Sequence, residues 1–379
     1  MNAATNRELA DEHLTYPITC RLFVDSLGGH VQQLLTGFAV LSRAGIVRCT
    51  EAIGDPDLAS SPRRFWTLTA LVNESVKVAF DVGDRREVDA RLLQDVDCYF
   101  KRTYVSSYVR SLGPGACKVQ PLGLNYEVYP NHADFADVMR AWRLLRGRRR
   151  LSGVVRMLRL SPTFLPRQEQ LEGDAAICAP PRVVFLTRAW DPHDDPTRSH
   201  EDVLAREQLN ETRAACIAAL RRDFGDRAVT GFAPSEYAIR KHREFVVPDR
   251  SLTQRRKYVA ALRTFPICVA TTGLHGSIGW KMGEYVALAK AIVSESVECE
   301  LPGSFLAGRN YLGFDSPEQC VARVDELMSN ATLRASMMID NARYYREFVR
   351  PDRMVLNSLV SAIRQVPSTS AGTPVRASA

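Results

Sequence analysis

"TTGLHGSIGWKMGEYVALAKAIVSE", residues 271–295, decides how this chain folds. The apolar stretch "ICVATT" (267–272) leads into a loop with glycines at 273, 276 and 279. A short helical stretch carrying Lys281 and Glu284 follows, and a second apolar run, "AIVSE", comes directly after it. Strand, glycine loop, helix and strand in that order make one βαβ unit of a parallel sheet. The loop then lies at the carboxyl end of a strand, the crevice in which open α/β sheets bind ligands. Gly273, Gly276 and Gly279 let the backbone approach a ligand closely. The amides of Ser277, Ile278, Gly279 and Trp280, together with the helix dipole, favour a phosphate. Thr272, His275 and Ser277 crowd polar side chains into the same loop. Lys281 adds positive charge in the first turn, and Glu284, one turn on, can accept from the vicinal hydroxyls of a ribose. A solvated Lys281–Glu284 pair after an ordinary turn is the competing reading of these residues.

The same alternation runs outward in both directions. "RVVFLTR" (182–188), "RAVTGF" (227–232) and "NYLGF" (310–314) read as strands, with helices over "LNETRAACIAALRRDFG" (209–225) and "SLTQRRKYVAALRTF" (251–265). Gly225 suits a helix C-cap. Ser316, Pro317 and Gln319 are the N-cap, first-turn and capping-box residues of another helix. Towards the start, "CRLFVDSLGGH" (20–30) is a strand ending in a glycine turn and "VQQLLTGFAVLSRAG" (31–45) a helix. "VKVAFD" (76–81) and "DCYFKRTY" (97–104) are short apolar strands, and "KVQPLGLN" (118–125) is a further strand and turn. The expected fold is α/β, with two Rossmann-like domains facing across a cleft. Residues 1–130 form the first domain, 131–180 an arginine-rich helical linker and 181–349 the second domain. Proline at 351 breaks the closing helix, so 350–366 turns back onto the first domain. The polar stretch 367–379 reads as a disordered tail.

Composition bounds the function. In 379 residues, 45% hydrophobic and 25% charged side chains describe an ordinary globular chain. Nine scattered cysteines without CxxC spacing suit reduced core thiols. No charged start leads into an apolar signal region, and no apolar run reaches the roughly 18 residues needed to span a bilayer. Together these point to the cytoplasm. The net charge of +7 is local: nine arginines and no carboxylate lie between Val138 and Gln168, so the rest of the chain carries −2. That argues against a general nucleic-acid surface. Leu151, Val154, Val155 and Leu158 recur there at helical spacing, which suits either a basic helix lying on anionic lipid or a connector between domains. "DVD" (95–97) matches an Asp-x-Asp metal signature but precedes its strand, and "DPHDDP" (191–196) reads as a turn first, so no obligatory metal is expected. A dinucleotide oxidoreductase needs G-x-G-x-x-G after its first strand, and neither "VDSLGGH" nor "LTRAWD" supplies it.

"GWKMGEYVALAKAIVSE" (279–295) resembles the K-x-x-E-Y-x-A segment of the group 1 and group 4 type glycosyltransferases, two-Rossmann-domain enzymes termed GT-B. "YLGFDSPEQCVARVDELMSNATLRASMMIDNARYY" (311–345) is similar to their closing stretch. The resemblance implies transfer of a sugar from a nucleotide diphosphate donor, with no other cofactor, to a hydroxyl of a glycan, lipid-linked or natural-product acceptor. By the same resemblance Glu284 holds the ribose and Arg188 contacts the diphosphate. Gly276 stands where retaining members often carry a second glutamate. The "SLGGH" turn resembles the family's glycine-histidine turn, which implies either a base on the acceptor hydroxyl at His30 or a helix N-terminal residue that merely packs; Asp25 is the alternative base or its orienter. Gly28, Gly29, Asp81, Asp84, Lys101 and Arg102 end neighbouring strands and are candidates for the acceptor cleft or for local charge pairs. A nucleotide-sugar epimerase on the same scaffold, and a non-catalytic nucleic-acid-binding protein using the arginine segment, are the alternatives.

Overall fold

The computed structural model describes residues 17–24, 28–53, 66–132, 164–175 and 180–366. Asp25, most of the arginine-rich segment (133–163) and the stretch 367–379 lie outside these residues.

Two sheets account for the described strands. The first contains β1 (Ile18–Val24), β2 (Val47–Ile53), β3 (Thr67–Val72), β4 (Val76–Asp81), β5 (Cys98–Lys101) and β6 (Val119–Pro121), in the order β2-β1-β3-β4-β5-β6. Parallel pairing joins β1 to β2 and β4 to β5 to β6, but β3 runs antiparallel to both its neighbours. The sheet is therefore mixed where a parallel one was expected. The cause is a tight hairpin: Ser75 N–H donates to Val72 O (3.1 Å). Both central residues, Asn73 and Glu74, take positive φ, as a primed hairpin turn requires. Helix α1 (Gln32–Arg43) covers this sheet.

The second sheet is parallel throughout. Its strands β7 (Val183–Thr187), β8 (Ala228–Phe232), β9 (Ile267–Ala270), β10 (Ala291–Glu295) and β11 (Leu312–Phe314) lie in the order β11-β10-β9-β7-β8. Helices α2 (His200–Phe224), α3 (Arg255–Thr264), α4 (Trp280–Ala287), α5 (Pro317–Ser329) and α6 (Ala331–Tyr344) connect and flank them. The strand order reverses between β7 and β9, which is the topological switch point. Helix α5 has the N-cap read from sequence, Ser316 Oγ accepting from Gln319 N–H (3.3 Å), but the capping box is not closed on Ser316: Gln319 Oε1 accepts from Asp315 N–H (3.1 Å) instead. Gly225 caps α2 with φ of +50°.

The chain crosses between the domains twice, and the crossings touch. The outgoing segment 122–129 buries Leu124, Tyr126 and Val128 in the second domain's core. The returning segment is a π turn, Tyr345–Val349, after which Pro351 opens α7 (Pro351–Gln365). Tyr126 and Tyr345 share a hydroxyl hydrogen bond (3.1 Å). Gln33 of α1 donates to Val349 O (2.8 Å) and accepts from Tyr126 N–H (3.1 Å). Helix α7 then completes the first domain's core with Met354, Val355, Leu359 and Ala362. It lies so close to α1 that a Cβ at Gly37 would stand 2.2 Å from Pro351 O. Among the described residues no helix is long and apolar enough to cross a membrane.

Candidate functional site

The site begins where two strands part. β7 pairs with β9 over Val183↔Ile267 and Val184↔Cys268, near their starts. Their carboxyl ends diverge and leave a gap at the switch point. Arg213, midway along α2, bridges it: its guanidinium donates to Arg188 O (2.8 Å), Thr271 Oγ1 (2.9 Å) and Thr272 O (2.9 Å). Burial lowers the Arg213 pKa to about 10, while the Glu295 carboxylate opposes that shift. The clamp therefore stays charged at neutral pH.

Above this floor a cavity of about 450 Å³ opens between the domains. Thr272, Gly273, Gly276, Ser277, Ile278, Gly279, Lys281, Glu284 and Arg188 all line it, as do His30, Asp84, Glu127 and Arg102 from the first domain and linker. Several details depart from the sequence reading. Both the amide and the hydroxyl of Thr272 donate to Glu295 Oε2 (2.6 and 2.8 Å) and are already satisfied. The loop also closes on itself, with Gly273 N–H donating to Ser277 O (2.7 Å) and Ser277 N–H to Leu274 O (3.2 Å). The Ser277 amide is thus not a free donor. His275, with φ of 59°, brings Nδ1 to 3.7 Å from Asp202 Oδ1, and its side chain is not among those lining the cavity. Gly276 needs its positive φ of 68° to make the turn. What remains for an anion is the start of α4, where the first amides have no intrahelical acceptor and Gly279 offers no capping side chain.

Glu284 is only 2% exposed. Its Oε1 pairs with the Arg255 guanidinium at 2.7 Å, and its Oε2 has no hydrogen-bond partner among the described residues. Burial works against the charge on Arg255, yet the Glu284 carboxylate wins and raises its pKa. Lys281 donates to Tyr258 Oη (3.0 Å) and lies 4.4 Å from the centre of that ring. Burial lowers its pKa to about 8; Glu284 acts to raise it, and the cations Arg255, Arg188 and Arg213 lower it further. Arg188 is exposed at the rim.

In the first domain, His30 meets the Trp280 ring edge-on with centroids 4.7 Å apart. Its Nδ1 is buried with no partner among the described residues. Burial lowers its pKa; Asp84 acts to raise it and Arg102 to lower it. Arg102 spans the cleft, donating to Ile278 O and ion-pairing with Asp84. Four of the acceptor-cleft candidates are not among the residues lining the cavity. Asp81 and Lys101 form a buried ion pair (3.0 Å), and Asp81 also accepts from Tyr99 Oη (2.6 Å) and Gly83 N–H (2.8 Å). Gly29 packs on the opposite domain: a Cβ there would lie 2.8 Å from Trp280 Cη2. Gly28 caps the same turn, its carbonyl accepting from Val31 N–H (3.2 Å). Asp97 accepts from Lys77 N–H (2.8 Å) and lies apart from the cleft.

Sequence reasoning passed over Arg213 and Arg255, although each leaves a trace. Arg213 interrupts the buried stripe Leu209, Cys216, Ile217 and Leu220 of α2. Arg255 lies one turn before Tyr258 and Val259 on the buried face of α3. A lone charge on an apolar stripe needs a partner, because an unpaired buried charge is costly.

Two Rossmann-like domains face each other over this cavity, and the last helix returns to the first domain. The fold is GT-B. No family model and no curated protein matches the sequence. Solved structures do match. The chain is similar to sucrose-phosphate synthase from Thermosynechococcus elongatus (TM-score 0.39, 11% identity, 90% of this chain and 95% of that one). It is also similar to HepE from Anabaena in complex with UDP-glucose (0.37, 9%, 92% and 100%). The C-terminal domain of a group 1 family glycosyl transferase, LpcC, from Francisella tularensis matches 47% of this chain over 90% of its own length (0.29, 15%). Against two further matches, from Listeria monocytogenes and Streptococcus pneumoniae, the chain spans 60% and 52% of the other chain's length.

Proposed function

We propose that this protein is a glycosyltransferase that takes a sugar from a nucleoside diphosphate and gives it to an acceptor hydroxyl on a glycan, a lipid-linked sugar or a natural product. The observation that carries this reading is the buried Glu284 Oε2, unpartnered among the described residues, beside a cavity lined by the cations Arg188, Arg255 and Lys281 as well as by the carboxylates Asp84, Glu127 and Glu295. Leaving a buried charged oxygen unpaired costs more than about 1–3 kcal/mol, and a ribose hydroxyl would offset that cost. Arg188, Lys281 and the start of α4 supply positive charge for the diphosphate, so the reading needs no protein-bound metal. In the transfer, the acceptor oxygen forms a bond to the anomeric carbon as the bond to the diphosphate breaks. The nucleoside diphosphate leaves with that electron pair, and the acceptor proton passes to His30. An imidazole with a lowered pKa is neutral at pH 7 and able to take it. Closure of the cleft excludes water that would otherwise accept the sugar.

The test is calorimetric titration of the whole chain with UDP, GDP, ADP and CDP and their common sugar conjugates. One nucleoside diphosphate should bind, and Glu284→Gln should weaken it by about tenfold or more. Unchanged affinity in that variant would remove Glu284 from the site.

A further inference from the structure

Four carboxylates line the cavity, those of Asp84, Glu127, Glu284 and Glu295. Three of them are taken up by neighbours. Asp84 ion-pairs with Arg102, Glu284 pairs with Arg255 at 2.7 Å, and Glu295 accepts from the Thr272 amide and hydroxyl at 2.6 and 2.8 Å. Glu127 differs. It is half-buried, and its Oε1 accepts from Tyr129 Oη (3.1 Å). Among the described residues it forms no ion pair, and its Oε2 is neither bonded nor buried. Glu127 adds to the field that raises the Arg255 pKa, though less than Glu284 does, and Arg255 donates to its backbone carbonyl (3.5 Å) rather than to its carboxylate.

The open carboxylate sits beside the turn that carries His30. A Cβ added at Gly29 would stand 3.3 Å from Glu127 Cδ and 2.8 Å from Trp280 Cη2, and the Trp280 ring meets His30 with centroids 4.7 Å apart. One corner of the cavity therefore gathers a carboxylate, an indole and an imidazole. The first two favour a cation, one through a charge-assisted hydrogen bond and the other through its π face. Charge balance points the same way. The lining cations Arg102, Arg188, Arg213, Arg255 and Lys281 exceed the four carboxylates by one. A nucleotide-sugar diphosphate brings more negative charge than that single excess cation answers, so the loaded cavity is acidic on balance, and Glu127 is its unpaired acid.

We infer that Glu127 is an acceptor-binding residue and that the acceptor carries an ammonium group close to the hydroxyl that receives the sugar, as an amino sugar or an aminocyclitol does. The ammonium donates to Glu127 Oε2 and keeps its proton, while the neighbouring hydroxyl faces His30. This rests on the glycosyltransferase reading above and goes beyond it in naming the acceptor class.

The experiment is calorimetry on the whole chain saturated with the nucleoside diphosphate that binds best, at about pH 6.5, where the amine is charged. Glucosamine is compared with glucose and N-acetylglucosamine, which share its ring but carry no charge. Glucosamine should bind about tenfold to a hundredfold more tightly than either, the range for one hydrogen bond to a charged group. Glu127→Gln keeps an oxygen for Tyr129 Oη and removes the charge. It should bring glucosamine to the level of glucose and leave the Kd of the nucleoside diphosphate unchanged, a split that a merely structural role for Glu127 would not produce. A wild type that binds none of the three sugars, or shows no preference for glucosamine, overturns the inference, as does a preference that survives Glu127→Gln. If no nucleoside diphosphate binds, the glycosyltransferase reading falls and takes this one with it; nucleotide binding without the sugar preference sinks this inference alone.

Discussion

Replacing Gly37 with alanine tests whether the closing helix is as tightly seated as the geometry requires. The new Cβ would stand 2.2 Å from Pro351 O and 2.6 Å from Val355 Cγ2. The first contact is with backbone, which has no rotamer to adopt, so α7 must move away by more than an ångström. Two effects compete. Alanine in a helix interior is worth about 1 kcal/mol over glycine. Overpacking costs about 1–3 kcal/mol, and a forced backbone shift belongs at the upper end. The net expectation is a loss of about 2 kcal/mol, or roughly 4–8 °C for a domain of this size. Scanning calorimetry should place the loss in the transition of the first domain, whose core includes Met354, Val355 and Leu359 from α7. Adding Val355→Ala relieves the 2.6 Å contact but not the carbonyl clash, so recovery should be partial. An unchanged or higher melting temperature in Gly37→Ala would refute the close seating of α7 on α1.

Other expectations follow from the site. His30 has its pKa lowered by burial, so kcat/KM of the free enzyme should hold above pH 6.5 and fall only as pH drops below that ordinary value; His30→Gln should remove this limb from the pH-rate profile. The same shift makes the unfolded chain the stronger proton binder, so this group's contribution to stability is present above pH 6.5 and is lost as pH falls towards the folded value, which urea melts across pH 5–7 would register. Lys281, with a pKa of about 8, should favour diphosphate binding below that pH, with Kd rising as pH climbs through it; Lys281→Met should flatten the trend in calorimetry. Lys101→Met leaves the Asp81 charge buried and should destabilise the first domain by about 3–5 kcal/mol, measured by denaturant melts. Arg213→Met should weaken nucleotide binding because the β7 and β9 ends lose their shared donor; unaltered affinity would show that the loops hold without it.

The parts legible in the sequence are those set by neighbours along the chain. The loop at 273–279, the cap at Ser316 and the break before Pro351 each depend on residues within one turn of each other. Strands β2 and β3 were harder to see, because "VRCTEAI" carries charges and "TLTALV" carries threonines where a buried parallel strand would be aliphatic. The first nine residues of α2 have the same problem, being largely polar before the buried stripe begins at Leu209. In the site, what stayed hidden were partnerships over long separation. Arg102 and Ile278 meet across 176 positions, and Arg213 reaches Thr272 across 59. Periodicity marked Asp81 and Lys101 as charges at strand ends, but it could not show that each answers the other inside the sheet.

The paired crossings constrain how this protein can move. With 122–129 and the Tyr345 turn bonded side by side, through Tyr126 and through Gln33, the halves cannot slide or separate. They can only swing, like covers about a spine. Away from the crossings, Arg102 ties the two halves a second time by donating to the Ile278 carbonyl. Opening the cavity must therefore break that contact.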